Sequence, residues 1–244
     1  MKALHDQAEA AFERHLRRNA YPGRGLVLGR AEDGGWLQVY WIMGRSQNSR
    51  NRIFTAEAGA LRTEPFDASA LEDPSLVLYE AMLELPGVYL VTNGDQTRTA
   101  CEALEAGRSF EAALATRERE PDAPNYTPRI SGLLDLRGEA PQLALSILKA
   151  SPADPAQTDR SCFRPAAPPP GLGVGLTTYM GDGNPLPSFR GEPLWLPLAG
   201  PPEAVLERYW QALDADNRVA LAVKYVPAAG GGTGRILLRN VHGS

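Results

Sequence analysis

The feature that most constrains this chain is a succession of strand-length apolar runs, each closed by a turn signal. The longest, Trp36-Leu37-Gln38-Val39-Tyr40-Trp41-Ile42-Met43, is rich in aromatic and β-branched residues, the composition of a strand. Glu32-Asp33-Gly34-Gly35 precedes it, a hairpin turn signal that joins it to a shorter run at 26–28. Further strands are expected at 76–83, 88–92, 130–134, 143–148, 173–179 and 192–198. A closing hairpin is expected between 218–226 and 235–241, across the glycine-rich stretch 230–234. Many of these runs neighbour each other as hairpin partners, which favours antiparallel sheets.

Helical spacing is rarer. Leu4, Ala8, Ala11, Phe12 and Leu16 recur at three- and four-residue steps, so residues 1–20 read as an amphipathic helix ended by Tyr21-Pro22-Gly23. Helices are also expected at 97–106, at 110–117 after Gly107, and at 201–213 with proline at the start. Thr92-Asn93-Gly94-Asp95-Gln96-Thr97 sits at a strand-to-helix junction, where Thr or Asp caps a helix or faces a ligand at the strand's end. Residues 44–52 and 120–129 read as loops. Residues 151–171, rich in Pro and Ala, read as a surface connector. An α+β protein follows, with helices packed outside the sheets.

Composition removes several function classes. The chain has 244 residues, 43% hydrophobic and 22% charged, with a net charge of −4. That gives no basic field for nucleic acid. Cys101 and Cys162 have no ligand-spaced neighbours, so neither a zinc site nor a disulfide framework is expected. No run approaches a membrane span, and the charged first nineteen residues carry no apolar leader core. A cytoplasmic protein is expected. The histidines, His5, His15 and His242, lie away from the polar loops. Acid–base work is thus expected of a carboxylate or tyrosine.

The basic residues are concentrated in arginine, since only Lys2, Lys149 and Lys224 are lysines. Gly44-Arg45-Ser46-Gln47-Asn48-Ser49-Arg50-Asn51-Arg52 interleaves three arginines with small donors. Guanidinium forks match phosphate oxygens, and Ser and Asn add neutral hydrogen bonds. A solvated loop with surface ion pairs has the same composition. Residues 118–129 combine three prolines with several acids, which makes a stiff loop suited to a preorganised site.

Five segments in order resemble the archaeal-type IMP cyclohydrolases and their bacterial relatives. They are Tyr21-Pro22-Gly23-Arg24-Gly25; Tyr40 with Ile42 through Arg52; Asp73-Pro74-Ser75-Leu76 with Tyr79; Thr92 through Thr97; and Asp122 through Ile130. A weaker match follows at Thr178-Tyr179-Met180-Gly181-Asp182-Gly183-Asn184. Arg98 stands where an acid is expected, and Arg119 where an aromatic is usual. The resemblance implies one domain over 1–244, folded as a four-layer α-β-β-α sandwich like the N-terminal-nucleophile hydrolases, without self-cleavage. It implies ring closure of 5-formamidoimidazole-4-carboxamide ribonucleotide to IMP and water, with no cofactor. Formally this is a hydrolase of a cyclic amidine C–N bond run backwards. Tyr79, Glu120 and Arg45 are the implied catalytic residues. Arg24, Ser46, Arg50, Asn51, Arg52, Asn93, Asp95, Asn125, Thr127 and Arg129 are the implied substrate-binding set. The partner is a purine ribonucleotide, and a homo-oligomer stays open. Two other readings share these residues: a cyclase of a similar nucleotide in a specialised nucleoside pathway, and a purine-nucleotide-binding protein without catalysis.

Overall fold

Trp36–Met43 forms strand β2 and is buried along its whole length. Trp36, Tyr40 and Ile42 enter one apolar cluster, while Leu37, Val39, Trp41 and Met43 enter another. With both faces covered, the strand has no solvent side on which polar residues would alternate. This computed structural model describes residues 1–71, 74, 77–228 and 234–243.

Two antiparallel sheets form the frame. The strands in chain order are β1 (Gly25–Arg30), β2, β3 (Arg52–Glu57), β4 (Ala60–Pro65), β5 (Glu80–Leu85), β6 (Val88–Thr92), β7 (Arg129–Asp135), β8 (Gln142–Ala150), β9 (Thr158–Phe163), β10 (Leu172–Thr177), β11 (Leu194–Pro197), β12 (Arg218–Val226) and β13 (Arg235–Asn240). One sheet runs β11-β10-β1-β2-β12-β13 and the other β3-β4-β5-β6-β7-β8-β9. A shared cluster of Leu26, Leu28, Tyr40, Val91, Ile130, Leu145 and Leu176 joins them. Gly132 permits the close approach: a Cβ there would lie 3.2 Å from the methyls of Leu26 and Leu28.

Helices cover the other faces. α1 (Lys2–Phe12) continues as one wider π turn over Glu13–Arg17, so the expected N-terminal helix is present. With α5 (Pro202–Ala212) it packs on the first sheet through Phe12, Leu16, Val205 and Tyr209. α3 (Gln96–Glu105) and α4 (Phe110–Leu114) pack on the second through Ala100, Phe110 and Leu114. No helix among the described residues is long and apolar enough to cross a membrane.

Four local expectations change. The 44–52 segment contains a one-turn helix, α2 (Gln47–Arg50), capped by Ser46 and Ser49 in a reciprocal box; four polar residues show no apolar periodicity, so the turn was invisible. The β3–β4 hairpin was not expected, because its strands leave alternate residues in solvent and turn through Ala58-Gly59. The 151–171 connector contains β9, an edge strand paired only with β8. Its exposed side chains carry no hydrophobic pattern. Asp95 sits at the N-cap of α3 but makes no capping bond, since two arginines occupy its carboxylate. The glycine-rich residues 230–233, and Asp73, Ser75 and Leu76 of the third signature segment, lie outside the described residues.

Strand register brings the polar segments to one end of the sheets. Gly25 opens β1 opposite Trp41 near the end of β2 and Thr177 at the end of β10. Arg52 opens β3 opposite Pro65, and Thr92 closes β6 opposite Ser131. The segments 20–24, 44–51, 93–95, 118–128 and 178–189 therefore all emerge on the same side.

Candidate functional site

Gly23 sets the first cation. Its φ is +73°, and a Cβ would fall 2.2 Å from Thr178 Oγ1, so only glycine fits. The turn it makes delivers Arg24, whose N–H donates to that hydroxyl at 3.1 Å, into a buried position. Arg52 is fully buried. Its Nε donates to Ser49 O at 2.8 Å and its Nη2 to Met43 O at 3.3 Å. Arg24 Nε and Arg52 Nη1 find no hydrogen-bond partner among the described residues. A buried donor left unpaired is costly, and such exceptions mark a place where something else binds.

Phenols and a carboxyl surround these cations. Tyr40 and Tyr79 share a hydrogen bond of 2.7 Å between their hydroxyls. Tyr40 is completely enclosed, whereas Tyr79 keeps 8% of its surface exposed, so Tyr79 is the member a ligand can touch. Burial and the adjacent Tyr79 push the Tyr40 phenol well up, against the pull of Arg24 and Arg52. Glu120 is buried too, and burial raises its carboxyl to about 7, although Arg24, Arg129 and Arg52 oppose the shift. For Arg24 burial works against the charge, but Glu120 and the neighbouring phenol oxygens outweigh it and its pKa rises. Arg52 has its pKa lowered by burial and by Arg24.

The arginines of the basic loop do not share one environment. Arg52 belongs to this interior. Arg45 lies outside it, paired with Asp182, donating to Gly183 O at 3.1 Å and stacked 5.0 Å over the Tyr21 ring. Arg50 donates to Gly44 O at 2.9 Å and to Asn217 Oδ1 at 3.3 Å. Ser46 caps α2, and Asn51 clasps the backbone at Asp67, donating to its carbonyl at 2.7 Å and accepting its N–H at 2.8 Å. Arg45, Arg50 and Asn51 line an open cleft of about 460 Å³.

The opposite wall is a fastened network. Asn93 accepts from Ile130 N at 2.8 Å and donates to Pro128 O at 2.9 Å. Arg129 donates to Glu118 O, Asp95 and Gln96 at 2.9, 2.6 and 2.8 Å. Burial opposes it, yet Arg117 and Arg129 hold the Asp95 carboxyl below its ordinary value. Asn125 Oδ1 accepts the Leu186 N–H at 2.9 Å. The Thr127 hydroxyl meets Tyr179 at 2.7 Å and Asp122 at 2.5 Å. Arg98 pairs with Glu80 at the surface. Arg119 stacks 4.3 Å over Tyr126 and donates to Pro155 O, tying the 151–157 turn to this loop.

Tyr21, Tyr40, Asp122 and Tyr179 join the site although the sequence reading gave them no role. Each lay inside a signature segment, which was the available signal. Tyr79, Glu120, Arg24 and Arg52 are brought together, with Arg129 close enough to act on Glu120. Arg45, Ser46, Arg50 and Asn51 form the outer rim. Asn93, Asp95 and Asn125 spend their polar atoms on neighbouring protein groups.

Two buried cations with spare donors favour an anionic or strongly polar ligand, and a carboxyl near neutrality exchanges protons at physiological pH. The fold and this end of it describe an α+β protein with two buried arginines beside a carboxyl and a tyrosine pair. A family model described as IMP cyclohydrolase-like protein matches residues 21–230, and the chain belongs to that family. A curated relative, the IMP cyclohydrolase of Methanopyrus kandleri, is similar to it, 35% identical over 119 residues. That match covers 47% of this chain and 59% of the relative, so the chain spans about three-fifths of the relative's length.

Proposed function

We propose that this protein is an IMP cyclohydrolase, closing 5-formamidoimidazole-4-carboxamide ribonucleotide to IMP and water. The observation that carries the reading is the joint burial of Arg24, Arg52, Glu120 and the Tyr40–Tyr79 pair, in a chain of this family. We read the whole chain as one domain whose layers follow the α-β-β-α order of the N-terminal-nucleophile hydrolases, without self-cleavage.

The carboxamide nitrogen attacks the formyl carbon of the same molecule. A C–N bond forms, the formyl oxygen becomes a hydroxyl, and the carboxamide nitrogen gives up one proton, the formamido nitrogen losing the other when water departs. The hydroxyl then leaves with a proton as water, and the new ring gains its C=N bond. Nucleophile and electrophile are already tethered, so the protein supplies orientation rather than a covalent partner. Arg24 and Arg52 carry spare N–H groups suited to the oxygen that gains charge. Tyr79 exchanges protons with the reacting atoms and is held by Tyr40. Glu120, partly protonated near neutrality, delivers a proton to the leaving hydroxyl.

Arg45 and Arg50 take the phosphate at the open cleft, with Ser46 and Asn51 shaping the loop. Arg129, Thr127, Asn93, Asp95 and Asn125 build the wall that holds base and ribose. The deciding experiment is a spectrophotometric assay of IMP formation from the formamido ribonucleotide. Turnover by the purified protein is the expected result. Binding of IMP without turnover instead identifies a nucleotide-binding protein.

A further inference from the structure

His242 lies beyond the part of the chain that the family model matches, yet it lines the cleft of Arg45 and Arg50. Its ring stacks on Phe66 with centroids 4.6 Å apart and planes 21° from parallel. Phe66 is 53% exposed and lines the same cleft. Both rings are positioned by the sheets. Asn51 O accepts the Phe66 N–H at 3.3 Å, and Val241, next to His242, donates its N–H to Val219 O at 2.9 Å. The ends of β4 and β13, one from each sheet, thus meet across the cleft.

Arg45 is paired with Asp182, which leaves Arg50 as the cation of this lining that no described acid holds. Arg50 uses only neutral acceptors, Gly44 O and Asn217 Oδ1. The one acid in the lining, Asp67, turns an oxygen back onto its own turn, accepting from Ser69 N at 2.9 Å and Ser69 Oγ at 2.6 Å. A cation, an imidazole and the Gln47 amide around about 460 Å³ suit a phosphate with its sugar. Arg45, stacked over Tyr21, links this cleft to the buried groups.

We propose that His242, braced by Phe66, is a substrate-binding residue that contacts the phosphate end of the nucleotide. This rests on the cyclohydrolase reading for the identity of the nucleotide.

The chain has three histidines, His5, His15 and His242, so ring resonances of histidine-labelled protein are few enough to assign by substitution. Adding IMP should shift those of His242 and leave His5 and His15 in place, while inosine moves none. His242→Ala should raise the Kd for IMP and the KM about tenfold, roughly the worth of one charge-assisted hydrogen bond, with kcat unchanged. Phe66→Leu, which removes the ring that braces the imidazole, should weaken binding in the same direction. Unmoved His242 resonances, or IMP binding by His242→Ala as tight as wild type, overturn this inference and leave the cyclohydrolase reading intact. If the unaltered protein neither binds IMP nor forms it, both fall together.

Discussion

Arg24 and Arg52 place two positive charges in the protein interior, and Glu120 is the carboxyl that acts on both. Burial nonetheless raises Glu120 from 4.5 to about 7. The folded state therefore binds a proton more tightly than the unfolded chain. This contribution to stability is fully present below about pH 4.5 and is lost as pH rises through about 7. A shift of that size amounts to about 3 kcal/mol. Denaturant titrations from pH 5 to 8 should show Glu120→Gln with a flatter pH dependence than wild type; parallel curves would remove the carboxyl from this role. Tyr79 offers a second test. Tyr79→Phe should lower kcat by about a hundredfold, the scale of general acid–base catalysis, with the Kd for IMP within about threefold of wild type. A kcat that stays at the wild-type value would assign the phenol pair to packing alone.

At the scale of elements, the short helix Gln47–Arg50 controls what the exposed arginines do. Ser46 accepts from the Ser49 N–H, and Ser49 Oγ returns a bond to the Ser46 N–H at 3.0 Å. One turn is far too short to persist alone, so the box and the flanking strands β2 and β3 hold it. Ser46→Ala removes half of the box, at a cost of about 1 kcal/mol. Because Arg45 and Arg50 flank the turn, the expected result is a weaker Kd for IMP with a thermal midpoint lowered by only about 2–4 °C. Calorimetry beside a thermal melt separates the two, and unchanged affinity would mean that the turn does not order the arginines.

The whole molecule depends on how its two sheets are joined away from this site. Lys224 on β12 is buried, donates to Gly59 O at 2.7 Å, pairs with Glu84 on β5 and lies 5.3 Å over the Tyr89 ring. Burial depresses the Lys224 pKa, and Glu84 opposes the change. Removing one partner of a buried pair costs about 3–5 kcal/mol, whereas replacing both partners by apolar residues is often neutral. Glu84→Ala, which leaves the buried ammonium unpaired, should cost about 3–5 kcal/mol, and the double variant Lys224→Met, Glu84→Leu less than about 1 kcal/mol. Denaturation midpoints decide between them, and equal losses would show that the lysine's hydrogen bond to Gly59 matters more than the pair.

Most elements that bury an apolar face are legible in the amino-acid sequence. β2 at 36–43, β6 at 88–92, the N-terminal helix and α5 are periodic because each packs on a core, and that periodicity is written locally. The arginine loop and the Asp122–Ile130 stretch stand out as well, since they have compositions that no core needs. The β3–β4 hairpin, β9 and α2 escaped because edges and single turns are stabilised by a neighbour's hydrogen bonds rather than by their own pattern. Long-range packing puts Arg52 in the interior while Arg45 and Arg50 face solvent. The three stand within eight positions, and what separates them is where β2 ends and β3 begins. It likewise turned Asp95 from a helix cap into the partner of two arginines, and brought His242 to the cleft from the end of the chain. Local sequence sets how a residue's own segment bends; which charges meet depends on strand order and register, which form from contacts far apart along the chain.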